Sequence, residues 1–247
     1  MKRLTPDPGP TDIESELAEY RPFDSPHEDR PWVALNMVTS LDGRASLNGR
    51  SSGLGTPADL ELLLKLRTRF DAVMIGAGTM RAERYGRIVK DPDARARRQE
   101  TGLQADPLAV IISGRLDLPF DAPLFTEGAG EVLIFTNDHT PPPETETPVD
   151  VQVADGPVRI TDVLRTLRQD RGIRALLCEG GPHLTGQLTA AAAFDELFLT
   201  IAPTLTGEAD APRILEGALD APVDLDLVNL SEEGSDLFAR YRRRGVA

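Results

Sequence analysis

The chain has 247 residues, 40% of them hydrophobic, which is enough to bury the core of one large α/β domain without disulfide or metal support. A single cysteine, Cys178, excludes an internal disulfide and a Cys-rich zinc site, and the histidines His27, His139 and His183 share no ligand spacing, so no metal is expected. A net charge of −13 argues against a broad nucleic-acid face, and no apolar run approaches the roughly 20 residues that span a bilayer.

Residues 1 to 30 are acidic and proline-rich. They read as an arm over the domain, with a short helix around Ile13 to Glu19. Met1 to Pro10 has no apolar stretch of the signal-peptide kind, so the cytoplasm is the expected compartment, with neither membrane nor nucleic acid as partner. Residues 31 to 247 read as a single domain. Regular structure is expected from Trp32, where Trp32 to Val38, apolar apart from Asn36, predicts a buried strand. Thr56-Pro57-Ala58-Asp59 carries the signals of a helix start, and Leu60, Leu63, Leu64, Leu66 and Phe70 follow at helical spacing. Ala72 to Ile75, Leu108 to Ile112, Val132 to Phe135 and Val149 to Val153 predict further strands. Ile160 to Arg171 predicts a helix, Ala175 to Cys178 a strand, Pro182 to Ala193 a helix and Leu197 to Ile201 a strand. Val223 to Leu230 and Leu237 to Tyr241 predict an antiparallel pair. Strands alternating with helices imply an α/β fold: a mostly parallel sheet with helices on both faces and an antiparallel C-terminal edge.

Ligands of such sheets bind beyond the carboxyl ends of the parallel strands. Four predicted strands run into small, polar, glycine-rich loops: Thr39 to Gly43, Gly76 to Thr79, Ser113 to Arg115, and Glu179 to Pro182. These suit a phosphate-bearing ligand, which needs close backbone approach and free N–H groups; they equally suit tight strand-to-helix turns. Gly76-Ala77-Gly78-Thr79-Met80-Arg81 is not a Rossmann fingerprint, because Arg81 stands where the third glycine belongs, and no P-loop sequence exists.

Three polar residues stand at apolar positions. Asn36 interrupts the first strand, Arg67 falls on the leucine stripe of the first long helix, and Glu179 closes a strand. A buried charge is costly unless paired, so Arg67 and Glu179 call for partners or a ligand. The alternatives are a core amide for Asn36, a helix-terminal arginine for Arg67 and a backbone-capping carboxylate for Glu179. Arg81, Arg84, Arg87, Lys90, Arg95, Arg97 and Arg98 outnumber Glu83, Asp91 and Asp93, forming a basic island that would attract a phosphorylated small molecule or simply be a solvated loop.

Several segments together resemble a known family. They are Arg30-Pro31-Trp32, Ser40 to Arg44, Leu66-Arg67, Asp71 to Thr79, Glu179-Gly180-Gly181-Pro182, and Asp195-Glu196-Leu197 running on to Ile201-Ala202-Pro203. The ordered set is similar to the reductase domain of riboflavin biosynthesis, over about residues 30 to 242, and most of all to stand-alone actinobacterial pyrimidine reductase-like proteins. The resemblance implies a dihydrofolate reductase-like fold. It implies NADPH-dependent reduction of a phosphoribosylamino-pyrimidine, the uracil or the related diaminopyrimidine, to its ribityl form. For the cofactor it implies Gly76, Gly78, Thr79 and Glu83 near the nicotinamide half. Gly180, Gly181, Pro182, Leu184, Thr185, Gly186 and Gln187 would lie about the pyrophosphate, with Ser113 and Arg115 at the 2′-phosphate. For the substrate it implies Asn36, Ser51, Arg67, Arg87, Lys90 and Glu179. Arg67 and the Arg87 to Lys90 stretch would hold phosphate, Glu179 would orient the pyrimidine or ribose, and Asp42 or Glu83 would position a proton donor.

The chain departs from the family pattern at Asn36, where many bacterial members have lysine, and at Glu83-Arg84-Tyr85, where an Asp-Asp-Pro is frequent. The deaminase motifs of bifunctional members are absent. A reductase of dihydrofolate or another pterin is a second reading, and a non-catalytic nucleotide-binding module a third. A homodimer is expected, with Leu197 to Ile201 and Leu237 to Tyr241 as edge strands in need of cover.

Overall fold

Short apolar runs become strands and amphipathic stretches become helices in the computed structural model, which describes residues 1–245. In chain order the elements are β1 (Lys2–Thr5), β2 (Gly9–Pro10), α1 (Ile13–Leu17), β3 (Trp32–Ser40), α2 (Pro57–Arg67), β4 (Ala72–Gly76), α3 (Ala77–Glu83), α4 (Pro92–Glu100) and β5 (Leu108–Ile112). There follow α5 (Pro123–Thr126), β6 (Val132–Thr136), β7 (Val149–Val153), α6 (Ile160–Gln169), β8 (Ala175–Cys178), α7 (Pro182–Ala190), β9 (Glu196–Ala202), β10 (Leu225–Glu233) and β11 (Asp236–Arg243). The result is an α/β fold, mostly parallel, with antiparallel strands toward one edge. No helix among the described residues is long and apolar enough to cross a membrane.

The chain divides into two units. The first takes Met1–Arg21, Val33–Lys65 and the residues from Pro182 on; the second takes Pro22–Trp32 and Leu66–Gly181. In the first, the strand order is β2-β1-β10-β11-β9-β3, antiparallel except for the parallel β9–β3 pair. Buried Asp195 accepts a hydrogen bond from the Val33 amide at 2.7 Å, tying the start of β3 to the residue before β9. The expectation for the last strands needs correction. β9 lies between β11 and β3, and β11 between β10 and β9, so neither Leu197 to Ile201 nor Leu237 to Tyr241 is an open edge. The N-terminal residues also differ from a plain arm. Lys2–Thr5 joins the sheet against β10, and Arg3 pairs with Glu16 at 2.8 Å, so regular structure begins thirty residues before Trp32.

In the second unit the order is β8-β4-β5-β6-β7, all parallel. β4, β6 and β8 are buried along their whole length, as strands covered on both faces must be. Asp71, just before β4, accepts from the amides of Arg174 and Ala175 at 3.0 and 2.8 Å. These bonds fix the stagger of β8 against β4, and with it the level at which their carboxyl ends emerge. α6 follows its sequence pattern, with Ile160, Val163, Leu164 and Leu167 buried on one face. α2 does not: Leu62 and Leu66 are buried, whereas Leu60 and Leu64 are 53% and 44% exposed. The helix turns a narrower stripe inward than its five apolar positions suggest. α4 lay outside the sequence reading. Pro92 opens it, the Asp91 carboxylate accepts from the Asp93 amide, and only Ala94 and Arg98 are buried.

Candidate active site

Three neighbouring parallel strands of the second unit end at one level: β8 runs into Glu179, β4 into α3, and β5 into Ser113. The turns are held together by backbone. The Gly76 amide donates to the Gly180 carbonyl at 2.8 Å, and the Gly181 amide donates to Thr79 Oγ1 at 3.0 Å. A Cβ on Gly76 would stand 3.4 Å from the Gly180 carbonyl oxygen, in van der Waals contact with the neighbouring turn. Gly180 has a φ of 86°, a left-handed conformation that glycine adopts without strain. The loop expected over Gly76 to Thr79 is instead the end of β4 and the start of α3, with Gly78 and Thr79 in the helix, and it lies against the Gly180–Gly181 turn after β8. Ser113 is buried at the end of β5, and Arg115, two residues on, is exposed with no acidic partner among the described residues.

Glu179 and Arg67, singled out as charges at apolar positions, are each other's partners. Arg67 Nε donates to Oε1 and Nη2 to Oε2, both at 2.7 Å, a bidentate pair. Their side chains are only 12% and 3% exposed. Burial works against the Arg67 charge, but the Glu179 carboxylate outweighs it and holds the guanidinium above its ordinary range. Arg67 Nη1 reaches the Ile88 carbonyl at 3.4 Å. Tyr85 completes the cluster, with the Arg67 guanidinium carbon 5.3 Å from its ring centroid. Burial, and then the charge of Glu179, push the Tyr85 phenol well above its ordinary value, against the opposing pull of Arg67. Sequence reasoning met Tyr85 only as a departure from a family pattern.

The basic island is corrected by its own neighbours. Arg81 pairs with Asp117 at 3.2 Å, Arg84 with Asp121 at 2.7 Å, and Arg97 with Asp91 at 3.6 Å. Arg87 forms a bidentate pair with Asp106, its Nε lying 2.8 Å from Oδ1. Arg98 is buried and donates to the carbonyls of Arg67, Phe70 and Gln104, and Arg95 donates to those of Val89 and Lys90. Of the expected phosphate ligands, Arg67 and Arg87 are thus committed to carboxylates. Lys90 is exposed and has no acidic partner among the described residues. Glu83 ends α3, half-buried. Cys178, immediately before Glu179, is buried, and burial pushes its thiol up to about 12, so it supplies no nucleophile at neutral pH.

The first unit carries the remaining expected residues. Asn36 is half-buried on β3, and Ser51 opens a short 3-10 turn. Asp42 accepts from Ser40 Oγ at 2.5 Å and from the amides of Thr206 and Gly207 at 3.1 and 2.9 Å. The Ser40 and Gly207 hydrogen bonds hold this carboxyl far below its ordinary value, so at neutral pH Asp42 clamps the loop as an anion. α7 begins at Pro182. Leu184, Thr185 and Gly186 are buried on it, and Gln187 is exposed. The Glu216 amide donates to the Pro182 carbonyl at 3.0 Å, and a Cβ on Gly186 would stand 1.9 Å from the Glu216 carbonyl oxygen.

Comparison with known proteins sets this geometry among relatives. The family described as RibD C-terminal domain matches residues 31–239. A 2,5-diamino-6-ribosylamino-4(3H)-pyrimidinone 5′-phosphate reductase of Archaeoglobus fulgidus is 27% identical over 219 residues, covering 87% of this chain and 100% of its own length. A pyrimidine reductase-like protein of Corynebacterium diphtheriae superposes with a TM-score of 0.78 at 25% identity, covering 94% of this chain and 99% of that one. The Saccharomyces cerevisiae riboflavin biosynthesis reductase Rib7 shares the fold, with a TM-score of 0.72 at 21% identity over 94% of this chain and 100% of its own.

Proposed function

The chain belongs to the RibD C-terminal domain family, and from that premise we propose that it is an NADPH-dependent reductase of a phosphoribosylamino-pyrimidine in riboflavin biosynthesis. The diaminopyrimidinone is the first candidate substrate, because the Archaeoglobus relative bearing that name is matched along its whole length. One observation carries the reading: a buried, partnered carboxylate, Glu179, follows β8 directly, beside the end of β4 and the glycine turn after β8.

The residues fit the cofactor. The turns at Gly76 and Gly180–Gly181 bring bare backbone together, which suits the close approach of a dinucleotide. Thr79 holds the Gly181 amide and so fixes one turn against the other. Arg115, exposed near Ser113 and without an acidic partner among the described residues, suits the 2′-phosphate. When bound, NADPH supplies the hydride. The chain's part is alignment and charge. Glu179, held in place by the two hydrogen bonds from Arg67, accepts a hydrogen bond from an amino or hydroxyl group of the substrate. Lys90 takes the substrate phosphate, in place of the committed Arg67 and Arg87. The assembly we propose is a cytoplasmic homodimer, tested by light scattering on purified protein.

The test is a cofactor-oxidation panel. Purified protein is mixed with NADPH and, in turn, the diaminopyrimidinone ribosyl phosphate, the aminouracil ribosyl phosphate and dihydrofolate. Loss of absorbance at 340 nm, with a ribityl product, is expected with a pyrimidine and not with dihydrofolate. Absence of oxidation with both pyrimidines overturns the reading.

A further inference from the structure

An antiparallel sheet with one face in the core and one in water alternates apolar and polar residues. β9, β10 and β11 depart from that pattern. Phe198, Thr200, Ser231 and Phe238 point to one face and are buried there. Tyr20 packs edge-on against Phe198, with 5.4 Å between ring centroids, and Glu16 of α1 accepts from Ser231 Oγ at 3.4 Å, so this face is the covered one. The opposite face is apolar as well. Directly opposed residues share a face, and the register sets Leu237 against Ile201, Ala239 against Leu199 and Leu230, and Tyr241 against Leu227. A bulge between Leu227 and Asn229 supplies the extra residue that lets Leu227 and Leu230, three apart, point the same way. Leu199, Ile201, Leu227, Leu230, Leu237 and Tyr241 all remain partly exposed, Leu227 by 45%. Water would call for polar side chains at these positions.

We propose that this face binds a second copy of the chain across a two-fold axis, so that the dimer is held by sheet faces and not by strand edges. This rests on the homodimer proposed above and names its surface. β1, β10, β11 and β9 lie side by side; at about 4.8 Å per strand and about 3.4 Å per residue they present a face of roughly 20 by 27 Å. Two such faces in contact bury on the order of 1,000 Å², which reaches what specific association needs. The six residues carry no charge, so two chains of net charge −13 meet there without repulsion at the contact itself. At the rim Lys2 stands opposite Glu232, which in turn stands opposite Leu237. A rim with both signs side by side complements its own copy, as an isologous contact requires, whereas a partner of one sign finds no match.

The experiment is light scattering on the wild type and on Leu230→Glu, with cross-linking as a second measurement. A carboxylate on this face would be buried against its own copy, so a rise of at least about a hundredfold in the Kd of the dimer is expected. Leu227→Cys changes a position that is already exposed and so keeps the fold whatever Leu230→Glu does. The one native cysteine, Cys178, is buried, so a bismaleimide long enough to span the patch reaches only the new thiol and should join two chains. Val153→Cys, exposed on β7 and outside the face, should stay single. A wild type that is monomeric at micromolar concentration overturns the proposal and the homodimer together. A dimeric wild type in which Leu227→Cys does not cross-link overturns the face and leaves the homodimer standing on another surface. Cross-linking through Leu227→Cys in a protein that reduces no pyrimidine supports the face and removes the proposed reaction.

Discussion

Arg67→Met tests the buried pair most directly. The substitution keeps the length and most of the apolar surface of the side chain but strips Glu179, 3% exposed, of its counter-charge. Breaking a buried ion pair from one side costs about 3–5 kcal/mol, because the remaining charge is left without compensation. Arg67 itself is 12% exposed and water can reach the vacated space, so the lower end, about 3 kcal/mol, is the better figure. For a chain of this size each kcal/mol lowers the melting temperature by roughly 2–4 °C, so a fall of roughly 6–12 °C is expected. Glu179→Gln in the same background removes the stranded charge. The double variant should regain at least half of the loss, giving a coupling of more than about 1 kcal/mol in a double-mutant cycle read by thermal or urea unfolding. Two results would refute the reasoning: a single variant that melts within 2 °C of the wild type, or a double variant whose loss equals the sum of the two singles.

Three further predictions concern separate places. Gly186→Ala puts a methyl carbon 1.9 Å from the Glu216 carbonyl oxygen, which only a backbone shift can relieve; destabilisation of at least about 1–3 kcal/mol is expected in urea unfolding, and a wild-type midpoint would contradict it. Arg115→Gln should raise KM for NADPH about tenfold, the effect of one charge-assisted contact, and leave KM for NADH unchanged; an equal effect on both cofactors would remove Arg115 from the 2′-phosphate. The Asp42 carboxyl is depressed in the folded chain below its ordinary 3.8, chiefly by Ser40 and Gly207, so its stabilising effect is complete above that value and is lost as pH falls below it. Asp42→Asn should accordingly melt below the wild type at pH 7, with the difference shrinking below pH 3.8; a gap that stays constant into acid would show that the loop does not depend on the charge.

How much of this was legible in the sequence follows from the range over which each signal acts. Strands buried on both faces announce themselves locally: Ala72 to Ile75 and Val132 to Phe135 are apolar at every position, and the structure extends each by one residue. α4 gave no such signal, since Pro92–Glu100 buries only Ala94 and Arg98 and so has no apolar stripe to read. β1 is stabilised by pairing with β10, more than two hundred residues away, and no local pattern reports that. Within the candidate site, Arg67 and Glu179 were visible because burial makes an unpaired charge expensive. What the sequence withheld was that they satisfy one another across 112 positions. The basic island failed for a related reason. Counting charges from Arg81 to Arg98 leaves out Asp106, Asp117 and Asp121, which lie just downstream and return to pair with Arg87, Arg81 and Arg84. A charge excess within a window becomes a field only if the fold brings no opposite charge back to it. Here three carboxylates return, and among the described residues the one cation of the expected phosphate set left without an acid is Lys90, a residue that no spacing rule distinguishes from its neighbours.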